Sequence, residues 1–364
     1  MRVLITGSEG FIGKNLQFKL KEIGVEFFCF NKNSNPEELK KQIELVNFIF
    51  HFAGVNRPEA IEDFEIHNQN FTELVCNEIV ASGRKIPVLF TSSIQALSDN
   101  PYGLSKLNAE NFLLELKEFG SKIYIFRLAN VFGKWSRPNY NSVVATFCNN
   151  VIYQLPLTID DPEKIIKLSY IDDVISDFIN ILFNFDKIES FVKTPDFEEI
   201  TVGKLAEIIQ SFGISNFLPH AGFGLTRKLY ATFLSFKKPG MFSYKLDAHK
   251  DERGKFVEFL KAPNFGQVSY FTAGPNVTRG GHYHHTKNEK FLVVKGKALF
   301  RFINIVTNEN YALEVDGLNP TVVETIPGWA HNITNLGADE MIVIIWANEI
   351  FDKNKPDTIQ FRSL

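Results

Sequence analysis

Short apolar segments alternate with amphipathic stretches along the first two thirds of the chain. The apolar segments are 2–6 (RVLIT), 25–30 (VEFFCF), 48–54 (FIFHFAG), 88–93 (VLFTSS) and 122–130 (KIYIFRLAN). Strands that alternate with helical patterns indicate a parallel sheet covered by helices on both faces. The pattern therefore predicts an α/β domain with a doubly wound, Rossmann-type parallel sheet over residues 1–243.

A different pattern follows the stretch 236–251, in which Pro, Gly and Lys occur without periodicity. Such a stretch is typical of a junction between domains. Short strand-like segments then come at close spacing, separated by turn residues, at 256–260, 267–271, 289–294, 297–305 and 341–347. This spacing predicts a compact all-β domain over residues 247–364, either a sandwich or a barrel.

Length and charge narrow the function classes. A chain of 364 residues is long enough for two cores, and 39 basic against 42 acidic residues without a Lys/Arg run argue against nucleic acid as the main partner. The apolar runs are too short for membrane insertion, and the chain starts as a strand rather than as a signal peptide. Cys29, Cys76 and Cys148 are widely spaced, which favours reduced thiols in a cytoplasmic protein.

Three glycines, Gly7, Gly10 and Gly13, lie between the first strand and a helix. Without a Cβ atom, the backbone at this turn can approach a pyrophosphate, which the helix N-terminus also attracts. The second strand ends at Asn31 and Lys32, where an NAD site usually has a carboxylate. Because an amide and an ammonium tolerate a 2′-phosphate, the sequence favours NADPH.

A helix is predicted to start at Pro101, capped by Asn100 or Asp99, and it places Tyr102 and Lys106 one turn apart on the same face. A neighbouring ammonium and the positive end of a helix both lower the pKa of a phenol. Tyr102 could then protonate a carbonyl oxygen while hydride arrives from nicotinamide. Ser93, at the end of the preceding strand, could bind the same oxygen.

Residues 1 to about 240 resemble the extended short-chain dehydrogenases/reductases. The matching strings are TGSEGFIG, HFAG, TSS, PYGLSK, RLANVFG and YIDDV, in the family's order. The resemblance implies a nucleotide-sugar substrate and a catalytic trio of Ser93, Tyr102 and Lys106. It also implies cofactor contacts from Gly7, Gly10, Phe11, Ile12, Gly13, Asn31, Lys32, Phe52, Ala53, Gly54, Asn68, Tyr102 and Lys106.

Two departures from the family pattern refine this expectation. The gap between Ser93 and Tyr102 is shorter than in most members, which makes the role of the serine less certain. Sugar 4,6-dehydratases of the family carry an Asp-Glu pair where this chain has Ile94 and Gln95. Without those acids, elimination of a hydroxyl lacks its acid and base, so a simple reductase is favoured.

Polar side chains in the segment 133–147 are the candidates for substrate binding in this half. Arg137, Asn139 and Asn141 could contact the diphosphate and uracil of a UDP-sugar. Loops often carry binding residues, but polar residues are also common in loops without such a role.

The all-β half contains RGGHYHHTKNE and, later, PGWAHNITN. His282 and His284 are two residues apart and share one face of a strand, and Glu289 follows. Imidazoles with one carboxylate suit zinc or another first-row divalent ion. These strings resemble the two signature motifs of the cupin (jelly-roll) barrel, which implies metal binding by His282, His284, Glu289 and His331.

The strings DERGKFVEFL and RGGHYH also resemble the keto-deoxysugar 3,5-epimerases, which are themselves cupins. In that family the histidine of the R-G-x-H motif is the base, and the matching residue in this chain is His282. A nitrogen bound to metal, however, cannot accept a proton. We favour His282 as a ligand, which leaves Lys290 and His285 as weak candidates for the base. Arg253 and Lys290 are candidates for substrate contacts. The ion is either structural or, with an open position, able to polarise a ketone.

The whole chain resembles the bifunctional enzymes of capsular polysaccharide synthesis, in which a reductase precedes an epimerase-like cupin. The resemblance implies C3 epimerisation of a UDP-2-acetamido-2,6-dideoxy-4-ketohexose, then C4 reduction with NADPH to UDP-2-acetamido-2,6-dideoxy-L-talose, a precursor of UDP-N-acetyl-L-fucosamine. Two alternatives remain: an epimerase or dehydratase that recycles NAD, and a reductase with a non-catalytic cupin for binding or dimerisation. Cupins often pair through their sheets, so a homodimer is expected.

Overall fold

The structure is a computed structural model that describes residues 1–58, 60–214, 217 and 222–361. The described residues divide into two compact units. The first comprises Met1–Ile209 and Lys228–Lys237, and the second comprises Gln210–Arg227 and Lys238–Leu364. The segment 210–227, which the sequence pattern assigns to the first domain, is therefore grouped with the second unit.

The first unit is built on a parallel sheet with the strand order β2-β1-β3-β4-β5-β8. Its strands are β1 (Arg2–Thr6), β2 (Glu26–Phe30), β3 (Phe48–His51), β4 (Val88–Ser93), β5 (Ile123–Leu128) and β8 (Phe191–Lys193). A small sheet beside it has the order β6-β7-β9, with β6 (Asn130–Phe132), β7 (Ile165–Tyr170) and β9 (Glu198–Thr201). The predicted α/β fold with a doubly wound parallel sheet is confirmed.

Helices connect these strands. They are α1 (Phe11–Glu22), α2 (Pro36–Leu45), α3 (Glu62–Phe64), α4 (Phe71–Ala81), α5 (Pro101–Glu118), α6 (Val143–Ile152), α7 (Ile171–Asn184), α8 (Val202–Ser211) and α9 (Gly224–Leu234). A π-helical turn (Glu65–Asn70) joins α3 to α4, and a 3₁₀ turn (Ile94–Leu97) follows β4.

Both faces of the parallel sheet are buried. Successive strand residues point to opposite faces, and helices cover each face. Leu4 and Ile49 lie in one apolar cluster with residues of α2, α4 and α5. Val3 and Phe48, one residue away, lie in the other cluster with residues of α1 and α7. This double burial explains why the strands are continuous apolar runs, and it leaves the carboxyl ends of the strands as the place for a site.

The second unit is an antiparallel jelly roll. One sheet has the order β10-β11-β12-β19-β14-β17 and another has the order β16-β15-β18-β13-β20. The strands are β10 (Ala248–Asp251), β11 (Gly254–Ala262), β12 (Gly266–Ala273), β13 (Thr278–Tyr283), β14 (Glu289–Lys295), β15 (Lys297–Asn304), β16 (Asn310–Asp316), β17 (Val322–Glu324), β18 (Trp329–Asn335), β19 (Met341–Ala347) and β20 (Ile359–Gln360). Phe271 and Phe291 of the first sheet pack in one core with Phe300 of the second. The predicted all-β domain is therefore confirmed as a cupin-type double sheet.

Two further observations concern the chain as a whole. Within the described residues, no helix is long and apolar enough to cross a membrane. Cys29, Cys76 and Cys148 are free thiols, the last two buried. Burial raises the pKa of Cys76 to about 12, so this thiol is an inert part of the core.

Candidate active site and metal centre

The turn between β1 and α1 brings backbone close to backbone. Gly7 has φ 65°, and a Cβ atom on it would lie 2.6 Å from the amide nitrogen of Ala53. A Cβ atom on Gly13 would lie 2.5 Å from the carbonyl oxygen of Gly7. Helix α1 begins after Gly10, which has no side chain to cap the first amides. This cradle and the open helix end fit the pyrophosphate of a dinucleotide.

The other predicted cofactor residues lie around this turn. Phe11 and Ile12 form the half-buried first turn of α1. The amides of Phe52 and Ala53 donate to Oγ1 of Thr6, each at 3.2 Å, which fixes the loop after β3. At the end of β2 the Oδ1 atom of Asn31 accepts a hydrogen bond from the amide of Asn33.

Lys32 follows Asn31 and is exposed, with its ammonium in solvent. The side-chain oxygen of Asn31 is therefore engaged within its own turn, whereas the ammonium of Lys32 is available to an anion.

Tyr102 lies at the start of α5, where Asn100 caps the helix by accepting a hydrogen bond from the Gly103 amide at 2.8 Å. This capping confirms one of the two predicted caps. Tyr102 is half-buried, and burial raises the pKa of its phenol, while a hydrogen bond from Ser93 acts in the opposite direction. Ser93 also accepts a hydrogen bond from the Gln95 amide, so the 3₁₀ turn fixes its position.

Lys106 is buried one helical turn after Tyr102. Its Nζ donates to the carbonyl oxygen of Thr91 at 3.1 Å and lies over the ring of Phe90. Burial lowers the pKa of Lys106 to about 8, and the nearby Glu110 carboxylate opposes this shift. In the free protein burial of the phenol is the larger effect, so the pKa of Tyr102 is raised even with the ammonium of Lys106 one turn away.

Asn68 is buried in the π-helical turn and organises the wall of the site. Its Oδ1 accepts from the Val55 amide at 2.7 Å, and its Nδ2 donates to Ser105 Oγ at 2.9 Å. A Cβ atom on Gly54 would lie 2.6 Å from Asn68 Oδ1 and 3.2 Å from Lys106 Nζ. The structure therefore brings Gly54, Asn68 and Lys106 together beside Tyr102. π-Helical turns are common at functional sites.

The predicted substrate loop before α6 is less organised than this site. Arg137, Asn139 and Asn141 are all exposed. The guanidinium of Arg137 lies over the ring of Tyr140, and Asn139 has a left-handed backbone with φ 55°. These positions leave the three polar side chains available to a ligand without assigning one.

A second cluster lies inside the jelly roll. One ligand atom from each of His282, His284, Glu289 and His331 can be chosen so that all lie within 4.8 Å of one another. His282 on β13 is directly opposite His331 on β18, just after an irregular register at Gly280. A bulge of this kind redirects side chains, and here it turns the histidine inwards.

The protonation states of this cluster suit a divalent metal. Burial lowers the pKa of His282 to about 3, with His331 adding to the shift, so this imidazole is neutral. Burial alone would raise the pKa of Glu289, but the polar groups around its carboxylate, His284, His331 and the Lys287 ammonium, hold it well below its ordinary value. The buried Nε2 of His331 makes no hydrogen bond and lies 3.5 Å from Oε2 of Glu289. Neutral imidazoles and an ionised carboxylate are the donors that zinc requires.

A cavity of about 380 Å³ opens onto this cluster. It is lined by His282, Glu289 and His331 and by the cations Arg253, Arg279 and Lys287. The predicted substrate contact from Lys290 is not found in this cavity. Lys290 lies on the opposite face of β14, where its ammonium pairs with Glu324. His285 is exposed and contacts Tyr283 rather than the cavity.

Lys287 and Arg279 are cavity cations that the sequence reasoning missed. Lys287 is the one in contact with a candidate ligand. Its Nζ lies 2.9 Å from Oε1 of Glu289, and only 11% of its side chain is exposed. The available signal was its spacing, because residues two apart in an extended segment share a face and Glu289 was already a predicted ligand.

Comparisons with known proteins match both halves. Residues 67–192 match the NAD dependent epimerase/dehydratase family, and residues 249–359 match the polysaccharide biosynthesis C-terminal domain. A Pseudomonas aeruginosa protein named UDP-2-acetamido-2,6-beta-L-arabino-hexul-4-ose reductase is 50% identical over 364 residues, 98% of each chain. The crystal structure of capsular polysaccharide assembling protein CapF from Staphylococcus aureus is 40% identical, with a TM-score of 0.89, over 99% of this chain and 100% of that one. An Escherichia coli dTDP-4-dehydro-6-deoxyglucose reductase is 25% identical over 256 residues, 57% of this chain and 80% of the relative.

The parallel sheet and its glycine turn define a short-chain dehydrogenase/reductase unit of a nicotinamide-dependent class, joined in one chain to a cupin-type jelly roll. The similarity to full-length relatives extends over almost every residue of the chain. The chain belongs to the CapF family of capsular polysaccharide assembling proteins.

Proposed function

We propose that this protein is a bifunctional nucleotide-sugar enzyme of capsular or surface polysaccharide synthesis. Its jelly roll epimerises C3 of a UDP-2-acetamido-2,6-dideoxy-4-ketohexose, and its first unit reduces C4 with NADPH. The product is UDP-2-acetamido-2,6-dideoxy-L-talose, a precursor of UDP-N-acetyl-L-fucosamine. The observation that carries the reductase assignment is the Tyr102 phenol at the start of α5, with buried Lys106 one turn away and Gly54 and Asn68 beside that ammonium. The name of the 50% identical relative, a hexul-4-ose reductase, supports the same chemistry.

In the reductase site the protein supplies the proton that the ketone oxygen accepts and the positive charge that stabilises the resulting phenolate. Burial raises the pKa of Tyr102, so the phenol stays protonated at neutral pH and can donate to the C4 oxygen. Ser93 orients the phenol, and the ammonium of Lys106 stabilises the phenolate that donation leaves behind. Bound NADPH supplies the hydride. The exposed Gln95, where dehydratases carry an acid, offers no group for elimination.

NADPH is the proposed cofactor because of charge at the end of β2. Lys32 is exposed there and next to the Asn31 turn, and a 2′-phosphate attracts an ammonium. The cradle formed by Gly7, Gly10 and Gly13 accepts the pyrophosphate common to NAD and NADP.

In the jelly roll the chemistry depends on the same ketone. While C4 is a carbonyl, the C3 proton is acidic, because the resulting carbanion delocalises as an enolate. Arg253, Arg279 and Lys287 lie in the cavity wall together with Glu258, Glu289 and Glu349, and these cations are the groups there that could contact a diphosphate sugar or an enolate. His282, His284, Glu289 and His331 would hold zinc, which supplies Lewis acidity when a coordination position is open. Reduction of C4 removes the acidity of C3, so epimerisation comes first.

Two properties of the whole protein complete the proposal. The free thiols suit a reducing cytoplasm. The outward face of one jelly-roll sheet carries an apolar row across three neighbouring strands, in which Leu292 pairs with both Val322 and Ile344. Val322 and Ile344 are exposed. We propose that this face joins two copies of the chain as a homodimer.

The test supplies the full-length protein with the UDP-4-keto sugar and NADPH in D₂O. We expect wild type to consume NADPH in proportion to the ketone and to place deuterium at C3. The Tyr102→Phe variant removes the proton donor and should slow NADPH oxidation by about 10²–10⁴-fold while C3 exchange continues. The Glu289→Gln variant removes a metal ligand and should abolish exchange. Nicotinamide absorbance and NMR of the sugar measure the two activities.

Each matched control makes the same type of substitution at a residue outside the two candidate sites. Tyr311→Phe alters an exposed tyrosine on β16, and Glu324→Gln alters an exposed glutamate on β17, so neither should affect either activity. Protium retained at C3 by wild type would show a jelly roll without chemistry. Loss of both activities in Tyr102→Phe would mean that the two reactions share one site.

A further inference from the structure

The short segment 357–360 lies at the mouth of the metal centre. Strand β20 pairs with β13 in a register that sets Gln360 opposite His282, and the Phe361 amide donates to the carbonyl oxygen of Gly281 at 2.8 Å. Thr358 and Gln360 line the cavity of the second unit. The segment therefore touches the strand that carries His282 and that ends one residue before His284.

Asp357 makes two kinds of contact with the loop between β13 and β14. Its backbone carbonyl oxygen accepts a hydrogen bond from Nδ1 of His284 at 2.5 Å. Its carboxylate accepts from the amides of His285, Thr286 and Lys287 at 2.9, 2.7 and 2.8 Å, and from the Thr286 hydroxyl at 3.0 Å. One carboxylate thus satisfies three successive backbone donors.

These contacts determine how the neighbouring ligands are presented. A carbonyl oxygen can only accept, so the proton of His284 lies on Nδ1 and the lone pair of Nε2 faces Glu289, 3.3 Å away. The fixed turn also places Lys287, whose ammonium lies 2.9 Å from Oε1 of Glu289. The same residue therefore orients one ligand directly and the carboxylate of a second ligand through Lys287.

We propose that Asp357 is a positioning residue of the metal centre and that it raises metal affinity by holding His284 and the 285–287 turn. This inference rests on the proposed metal centre. Partners that hold the second nitrogen of a histidine ligand typically change metal affinity by about 10- to 100-fold when they are removed. A residue that only capped a turn would contribute to folding and leave metal affinity unchanged.

Asp316 provides the matched control. It also caps a turn of the jelly roll, accepting from the amides of Leu318 and Asn319 at 2.8 and 2.9 Å, and it does not line the cavity. The experiment strips the full-length protein of metal and measures Zn²⁺ affinity by competition with a chromophoric chelator. Asp357→Asn keeps the backbone carbonyl that holds His284 but weakens the hold of its side chain on the 285–287 turn, so we expect Zn²⁺ binding about 10-fold weaker than wild type, and Asp316→Asn to match wild type.

A second variant protects the test against loss of folding. Thr286→Val removes one of the hydrogen bonds to Asp357 and should give a smaller loss of affinity, and circular dichroism of each metal-free variant checks its fold. Folded Asp357→Asn and Thr286→Val proteins with wild-type affinity would overturn the role of Asp357 alone. Wild type that binds no divalent ion would overturn the metal centre itself, and this inference with it.

Discussion

At the scale of single residues, Lys106 gives the most direct pH prediction. Burial lowers its pKa to about 8, and its proposed role requires the ammonium. We expect kcat/KM for ketone reduction to fall as pH rises through about 8, with the slope of one proton. Because the folded chain binds this proton less tightly than the unfolded chain, the free energy of unfolding gains a term that rises with pH between about 8 and 10.5.

The pH profile of the reductase, measured with saturating NADPH, checks this prediction. Lys106→Arg is the informative variant, because a guanidinium keeps its charge throughout the range. We expect the variant to be slower, since the guanidinium does not fit the contact with Thr91, but to lose the fall above pH 8. A wild-type profile that stays level well above that pH would contradict the assigned role.

Residues that share one short element could be predicted from the sequence. Tyr102 and Lys106 are one helical turn apart, so their spacing alone puts them on one face. His282 and His331 are 49 residues apart in sequence and meet only because β13 pairs with β18. The sequence analysis grouped these two histidines only because the surrounding motifs resemble those of cupins. The hydrophobic pattern of the chain does not predict that they meet. Asp357 had no local signal, because its carboxylate acts on a loop about 70 residues earlier in the chain.

At the scale of elements, the turn before α1 depends on the absence of a side chain. Gly7→Ala combines a left-handed backbone, which costs about 1–2 kcal/mol, with a clash against Ala53 that adds ~1–3 kcal/mol. Gly24 follows the other end of α1 with φ 70°, and nothing lies within 4 Å of its Cβ position. Gly24→Ala is therefore the matched control, with the backbone cost alone. Denaturant unfolding and NADPH titration measure the difference, and equal effects of the two variants would contradict the close approach.

The elements themselves were largely predictable, and the exceptions have physical reasons. Strands β1, β3, β4 and β5 are buried on both faces and so appear as apolar runs in the sequence. Strand β10 is exposed at all four residues, so it has no apolar pattern and lies inside the stretch predicted as a junction. The π-helical turn has no sequence signature, because the hydrogen bonds of Asn68 to Val55 and Ser105 are tertiary contacts.

At the scale of the whole molecule, the proposed function divides one chemical problem between the two units. In this proposal the ketone that acidifies C3 in the jelly roll is the group that accepts hydride in the first unit. Each described unit contains its own candidate residues, with Tyr102 and Lys106 in one and the His282 cluster in the other. If both proposed activities are present, one chain supplies the two sites in equal number, and separate sites allow one activity to be removed without the other.

The proposed homodimer makes the last prediction at this scale. Val322, Leu292 and Ile344 form a row across β17, β14 and β19 on the outward face of the sheet, and Ile344 is 40% exposed. Ile344→Glu places a charge in this row, which would be desolvated in an interface and should separate the subunits. Light scattering should give twice the chain mass of 41.5 kDa for wild type and the single mass for the variant. Val306→Glu, at an isolated turn position that is 82% exposed, should remain dimeric, and an Ile344→Glu protein of unchanged mass would exclude this face as the interface.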